Sequence, residues 1–245
     1  MTVLVVGATG NTGRPLVEQL LARGHRVRVI VRSSDRLPGE VVENPNTTVT
    51  EASVLDLSDA EMAEQVKGCD AVVSCLGHVM DAGGVFGQPR KLCADATRRL
   101  CGAIESNRPS GPIKFILMNT VAVRNRDLRE MRSLRERVVL SLLHLLLPPH
   151  RDNVAAAGYL RTAVGRESEH VEWCSVRPDS LIDAEVSPYD IEESPITGIF
   201  SGRPSTRSNV AHFMVELIED GGLWNEWKFR MPVIMNSVAA ESRSH

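Results

Sequence analysis

Short runs of β-branched and apolar residues alternate along this chain with longer stretches whose apolar positions recur at helical spacing. Val3–Val6, Arg26–Val31, Val49–Glu51, Ala71–Cys75, Ile113–Asn119 and Glu172–Arg177 read as strands. Between them, Asn11–Arg23 carries Leu16, Val17 and Leu20 on one face, Ser58–Val66 opens on a serine cap, and Lys91–Glu105 is helical in period. Repeated βα units of this kind build a mostly parallel sheet. Right-handed crossovers then predict an α/β, Rossmann-type doubly wound fold of strand order 3-2-1-4-5-6. Ligands are expected beyond the carboxyl ends of strands one, two, four and five.

Later segments are less regular. Asp127–Leu147 begins charged and ends Leu142-Leu143-His144-Leu145-Leu146-Leu147, a helix expected to pack on the domain, to wall a substrate site or to form a dimer face. Asp183–Pro204 is rich in Pro, Ser, Gly and acidic residues and reads as a substrate-covering region. Ser208–Glu219 is a further helix and Lys228–Ile234 a late strand. Residues 1–235 are expected to form one domain, with 183–235 on its substrate side and a disordered polar tail over 236–245.

Composition narrows the classes. The 245 residues are 42% hydrophobic and 24% charged, with a formal net charge of −3, which gives no general attraction to nucleic acid or acidic membranes. The longest apolar stretch, Val138–Leu147, is about half of the ~20 residues a bilayer span needs. No basic segment followed by a cleavable apolar one opens the chain, so a cytoplasmic location is expected. The five cysteines are scattered, without metal-ligand spacing, and are expected to be reduced, with no metal bound. A small-molecule substrate and a monomer or homodimer are the expected partners.

The chemistry begins after the first strand. Val3-Leu4-Val5-Val6 runs into Gly7-Ala8-Thr9-Gly10-Asn11-Thr12-Gly13 and then into a helix. Glycines at this spacing allow a tight turn, a close approach of backbone N–H groups to a pyrophosphate, and close packing of helix on strand. Gly7, Thr9, Gly10, Asn11, Thr12 and Gly13 are therefore the expected phosphate-binding set, at a helix N-terminus whose dipole favours anions. Past strand two stand Arg32, Ser33 and Arg36, donors suited to a 2′-phosphate, with Asp35 as the counter-argument; NADP(H) is favoured over NAD(H). Asp56 and Leu57 follow strand three, to hold and cover an adenine, unless Asp56 only caps the next helix. Strand four ends Cys75-Leu76-Gly77, where the backbone passes close to the cofactor or simply turns.

With these motifs the chain resembles the short-chain dehydrogenase/reductase superfamily, in the atypical NAD(P)-binding branch of NmrA-like proteins and flavin and biliverdin reductases. Val54-Leu55-Asp56-Leu57, Asp70–Gly77, Trp173–Pro178 and Thr206–Ala211 carry the likeness beyond the glycine motif, over most of Thr2–Ile218, although Asn209 stands where relatives often have Asp. The resemblance implies hydride transfer to a small conjugated substrate such as a flavin, quinone or enone, and places Thr120 and Pro178 beside the cofactor. The Tyr-x-x-x-Lys pair of the wider superfamily is missing: Tyr159 is followed by Leu160-Arg161-Thr162-Ala163, and Lys67, Lys91, Lys114 and Lys228 all lie elsewhere. Hydride positioning with a solvent proton remains, with Thr120, Tyr159 and His78 as candidate catalytic groups and His150 and Asp152 as candidates at the pocket mouth. The alternatives are a non-catalytic NAD(P) sensor or partner-binding protein, and redox-neutral chemistry such as isomerisation.

Overall fold

The computed structural model describes residues 1–78, 87–128, 130–196, 198 and 202–237. Its sheet is built from Thr2–Val6 (β1), Arg26–Val31 (β2), Thr47–Glu51 (β3), Ala71–Ser74 (β4), Ile113–Met118 (β5) and Val171–Pro178 (β6), all parallel. Leu181–Ile182 (β7) pairs with Ser205–Thr206 (β9) in a small separate ladder. Tyr189–Glu192 (β8) and Val233–Asn236 (β10) extend the main sheet, which runs β3-β2-β1-β4-β5-β6-β10-β8. The 3-2-1-4-5-6 order is therefore present, continued by one parallel and one antiparallel strand.

β1 is buried along its whole length, as a central parallel strand with helices on both faces must be. Its alternate residues feed two cores. Val3 and Val5 pack with Leu16, Val17 and Leu20 of α1 (Gly13–Ala22), whereas Leu4 and Val6 pack with Met62 and Val66 beyond the other face. That second layer holds the short α3 (Asp59–Val66), which follows α2 (Gly39–Val42), and α4 (Leu92–Asn107). Each fully buried leucine or valine contributes roughly 1.5–3 kcal/mol relative to exposure. Ser58 and Glu61 close a reciprocal capping box on α3, and Ser133 and Glu136 do the same for α5 (Leu134–Leu146). α6 (Pro148–Tyr159) follows α5 with proline at its start and continues into a π-helical turn over Leu160–Val164. α7 (Arg207–Glu219) and α8 (Gly221–Trp227) complete the chain.

Four expectations change. Residues 228–232 are not strand: α8 runs to Trp227 and the strand is Val233–Asn236, because Trp224 and Trp227 fill the core first. Asn236, assigned above to a disordered tail, is buried and accepts the Thr206 N–H at 3.0 Å; residues 238–245 lie outside the described residues. Part of 183–204 is ordered as β8, and α7 buries Val210, Phe213, Met214 and Leu217 in the α1-side core, so this part of 183–235 is scaffold. Lastly, α5 packs chiefly on α6 and does not bury its leucines: Leu134, Leu142, Leu145 and Leu146 are 75, 50, 68 and 61% exposed.

Candidate cofactor and active site

The glycine turn is held by backbone contacts that leave no room for side chains. Gly7 has φ +83°, and a Cβ there would lie 2.6 Å from the Cys75 carbonyl and 2.8 Å from the Leu76 nitrogen. Gly13 admits the start of α1 against the turn, since its Cβ would meet the Gly7 oxygen at 2.1 Å. Gly10 donates its N–H to the Gly7 carbonyl at 3.0 Å, and a Cβ there would sit 3.2 Å from that oxygen. No side chain caps α1 at Thr12 and no acidic residue stands in its first turn. A pyrophosphate fits such a cradle: small-residue walls, a helix N-terminus open to an anion, and no competing carboxylate in its first turn. Ala8 and Thr12 are buried, whereas Asn11 is exposed and Thr9 partly so.

At the end of β2, Arg32 and Arg36 are exposed and Ser33 is half-buried. The Ser33 hydroxyl accepts the Asp35 N–H at 3.3 Å and donates to its carboxylate at 3.2 Å, so Asp35 is turned onto its own turn. The Ser34 N–H donates to Glu51 at 2.6 Å, and the Ser34 hydroxyl, then this N–H, hold that carboxyl below its ordinary value. Arg14, in the first turn of α1, reaches the Arg36 carbonyl at 3.3 Å. It adds a third cation to this end of the groove and was missed from the sequence, although its place directly after Gly13 is the available signal. Asp56 is exposed and is not the helix cap, which is Ser58. Leu57 is partly buried against the α4-side core, and Arg99 donates to the carbonyls of Val54 and Leu57, tying this loop to α4.

Beyond β4, Cys75 is buried, Leu76 partly buried and Gly77 exposed. His78 Nε2 lies 2.8 Å from Asp152 Oδ2 of α6. Asp152 also accepts the N–H groups of Cys93 at 2.7 Å and Ala94 at 2.9 Å, so one buried carboxylate holds both His78 and the first turn of α4. The His78, Cys93 and Asp152 ligand atoms lie within 4.8 Å of one another, close enough to share a cation. Both Asp152 oxygens are, however, engaged with backbone N–H groups. The Cys93 thiol donates to the Leu76 carbonyl at 3.4 Å, and burial and Asp152 push its pKa well up. Sequence reasoning named His78 and Asp152 separately; their pairing spans 74 residues and has no local signal.

Thr120 follows β5, half-buried, its hydroxyl accepting the Ala122 N–H at 3.3 Å, and Pro178 ends β6 with its carbonyl accepting the Val121 N–H at 3.0 Å. Tyr159 is placed elsewhere. Its ring lies under Arg98 at 5.7 Å, and burial, then Cys101, raise its pKa against a smaller opposing effect of Arg98. Arg98 and Cys101 stand roughly 8–12 Å along α4 from the Cys93 turn that faces His78.

The loop after β5 contains a buried charge network. Arg177 is fully buried, donating to the carbonyls of Met231, Val123 and Glu193 and to Glu130 at 2.6 Å. Burial lowers its pKa, and Glu130 opposes that shift. Arg132, its side chain 4% exposed, donates to the Val121 carbonyl and stands 3.5 Å from Glu130, but its Nε and Nη1 have no hydrogen-bond partner. All five cysteines are free and buried, and burial pushes Cys69 and Cys75 up to about 11 and about 12.

Residues 7–221 match the NAD(P)H-binding family, a span that includes the glycine turn and the carboxyl ends of β2 to β6. The chain belongs to that family. As an NAD(P)H-binding protein it is similar to an uncharacterised chloroplastic protein of Arabidopsis thaliana, at 31% identity over 121 residues, 49% of this chain and 41% of that protein. It is also similar to the divinyl chlorophyllide a 8-vinyl-reductase of Arabidopsis thaliana, at 25% over 131 residues, 50% of this chain and 30% of the reductase. The chain thus matches less than half of either relative's length. Among solved structures, the anaerobilin reductase ChuY of Escherichia coli O157:H7 superposes with a TM-score of 0.68 at 17% identity, covering 97% of this chain and 98% of that one. Its structural neighbours also include an oxidoreductase of Lactococcus lactis and a short-chain dehydrogenase/reductase of Veillonella parvula, and the fold is shared with them. No helix among the described residues is long and apolar enough to cross a membrane.

Proposed function

We propose that this NAD(P)H-binding protein is an NADPH-dependent reductase of a small planar or conjugated acceptor. The observation that carries the proposal is the uncapped start of α1 behind Gly7, Gly10 and Gly13, facing the point where the strand order reverses between β1 and β4, with His78 and Thr120 on the adjacent strand ends. Reduced nicotinamide, when bound there, supplies a hydride. The backbone N–H groups of Asn11, Thr12 and Gly13 at the start of α1 hold the diphosphate, Arg14, Arg32 and Arg36 receive the 2′-phosphate, and the Thr120 hydroxyl, already accepting a backbone N–H, retains its own O–H to donate to a carbonyl. Asp152 orients His78, which delivers the proton that completes reduction.

The sensor reading draws support from one feature: His78 is 6% exposed at its side chain and tightly held, as a structural link between β4 and α6 would be. Stopped-flow absorbance of bound NADPH with flavins, quinones and enones separates the two. A reductase consumes NADPH with at least one acceptor. In such an enzyme His78→Gln slows turnover by ~10²–10⁴, while Tyr159→Phe retains activity. If no acceptor oxidises tightly bound NADPH, the sensor reading replaces this one.

A further inference from the structure

A hollow of about 220 Å³ lies on the flank of the sheet, between the loop that follows β5 and the chain leaving α8. Its apolar wall is Leu128, Trp227, Phe229 and Met231. None of the residues assigned above to the cofactor or to hydride transfer lines it. The Phe229 N–H donates to the carbonyl of Trp173, which places this end of the hollow roughly 16 Å along β6 from Pro178, at the usual strand rise per residue. The hollow is therefore separate from the carboxyl edge, where the dinucleotide is expected.

The wall is shaped by a strained residue. Phe229 has φ +61°, a left-handed conformation in which a bulky side chain is an outlier, and such conformations cluster at ligand clamps, where the surroundings over-determine them. Here Trp173 does so, through its carbonyl and through an edge-to-face ring contact at 6.2 Å.

The polar groups of the hollow select the ligand. Both oxygens of Asp127 accept from Arg161, and Glu193 is bridged by Arg230, so the two carboxylates there are already neutralised. Three donors have no acceptor among the described residues. Arg166 is exposed and makes no hydrogen bond or ion pair, attracting Asp127 only at longer range. The indole N–H of Trp227, a residue 5% exposed, is unbonded, and the Asn125 side-chain nitrogen is unbonded while its oxygen accepts the Asp127 N–H at 3.0 Å. An indole N–H so deeply placed ordinarily has a partner. A ligand with oxygen acceptors and a negative charge beside a flat apolar body answers these donors. Size limits the body: a cavity of roughly 150 Å³ accepts benzene, and drug-sized ligands need about 300 Å³ or more.

We propose that this hollow is a second small-molecule site, which takes a one- or two-ring aromatic carboxylate, its ring on Trp227 and Phe229 and its carboxylate at Arg166. The carbonyls of Met231 and Glu193 accept from Arg177, so the occupant rests on the buried charge network that holds the loop after β5. Binding needs neither cofactor nor turnover, so it stands or falls apart from the reductase reading.

The test is calorimetric titration of the full chain with 2-naphthoate, 2-naphthylmethanol and 2-naphthylmethylamine, without and with saturating NADPH. The acid should bind at one site about tenfold more tightly than the alcohol, as one charge-assisted hydrogen bond gives, with the amine weakest and NADPH without effect. Arg166→Gln should remove that preference and Arg166→Lys restore part of it, with circular dichroism unchanged because the side chain is exposed. Leu128→Glu, which sets a carboxylate on the apolar wall, should abolish binding. No saturable binding of the acid, equal affinities for acid and amine, or loss of binding when NADPH saturates overturns the proposal. So does an undiminished preference for the acid in Arg166→Gln, or undiminished binding in Leu128→Glu.

Discussion

The turn after β1 and the loop after β5 both stand at the carboxyl edge of the sheet, but different physics fixes each. In the first, backbone meets backbone: Gly7 against Cys75 and Leu76, and Gly13 against Gly7, at separations where a Cβ would lie within 2.1–2.6 Å of another atom. In the second, buried ions do the holding, with Arg177 and Glu130 paired 47 residues apart in sequence. A backbone-locked turn presents the same N–H groups whatever binds, which suits a constant diphosphate. A charge-locked loop takes its shape from the particular side chains that hold it, which suits a substrate side.

Removing a buried ion should have the largest effect. Arg177→Met removes the 2.6 Å partner of the buried Glu130, leaving it the Asn125 N–H and the more distant Arg132, and should destabilise the fold by about 3–5 kcal/mol. Arg132→Met is the contrast: two of its three guanidinium nitrogens lack partners, so an apolar replacement should be near neutral or stabilising. Urea unfolding of both variants measures the difference. Equal losses would mean that the loop does not distinguish a satisfied cation from an unsatisfied one.

An intermediate effect is expected where the rigid turn meets its variable neighbour, Arg14 with Arg32. Arg32→Ala and Arg14→Ala should each cost NADPH roughly 1–3 kcal/mol of binding, as for a hydrogen bond to a charged group, and leave NADH unchanged. Equal losses for both cofactors would remove the 2′-phosphate from the argument.

The glycine turn, the strand order and the residues at the ends of β2 to β5 were all legible in the sequence, because each depends on neighbours within one βα unit. The surroundings of Tyr159 were not legible, because the contact of its ring with Arg98 depends on how α6 docks on α4. Nor was the His78–Asp152 contact visible, since it depends on how α6 docks on α4. The leucines of α5 left packing on the domain, a substrate wall and a dimer face all open; their periodicity shows a stripe but carries no information on what faces it. Asn209, the departure from the family pattern, is explained by position: its amide donates to the Asn236 side chain at 2.9 Å, which a carboxylate does not do.

A smaller effect lies beneath the same edge. His150 of α6 has its pKa lowered from 6.5 by burial and then by His144. Its neutral form is thus the one the fold prefers, so this contribution to stability is fully present above 6.5 and is lost as pH falls through the lower folded value. His150→Gln should flatten that part of the stability–pH curve, followed by thermal unfolding, and leave the curve above it unchanged.

The central claim is that a dinucleotide rests on the rigid turn, and calorimetric titration of NADPH into wild type and Gly10→Val tests it most directly. With circular dichroism matched between the two, the account predicts saturable one-site binding to wild type and none to the variant, whose side chain would hold the diphosphate off the α1 N–H groups. Undiminished binding to a folded Gly10→Val protein would contradict it.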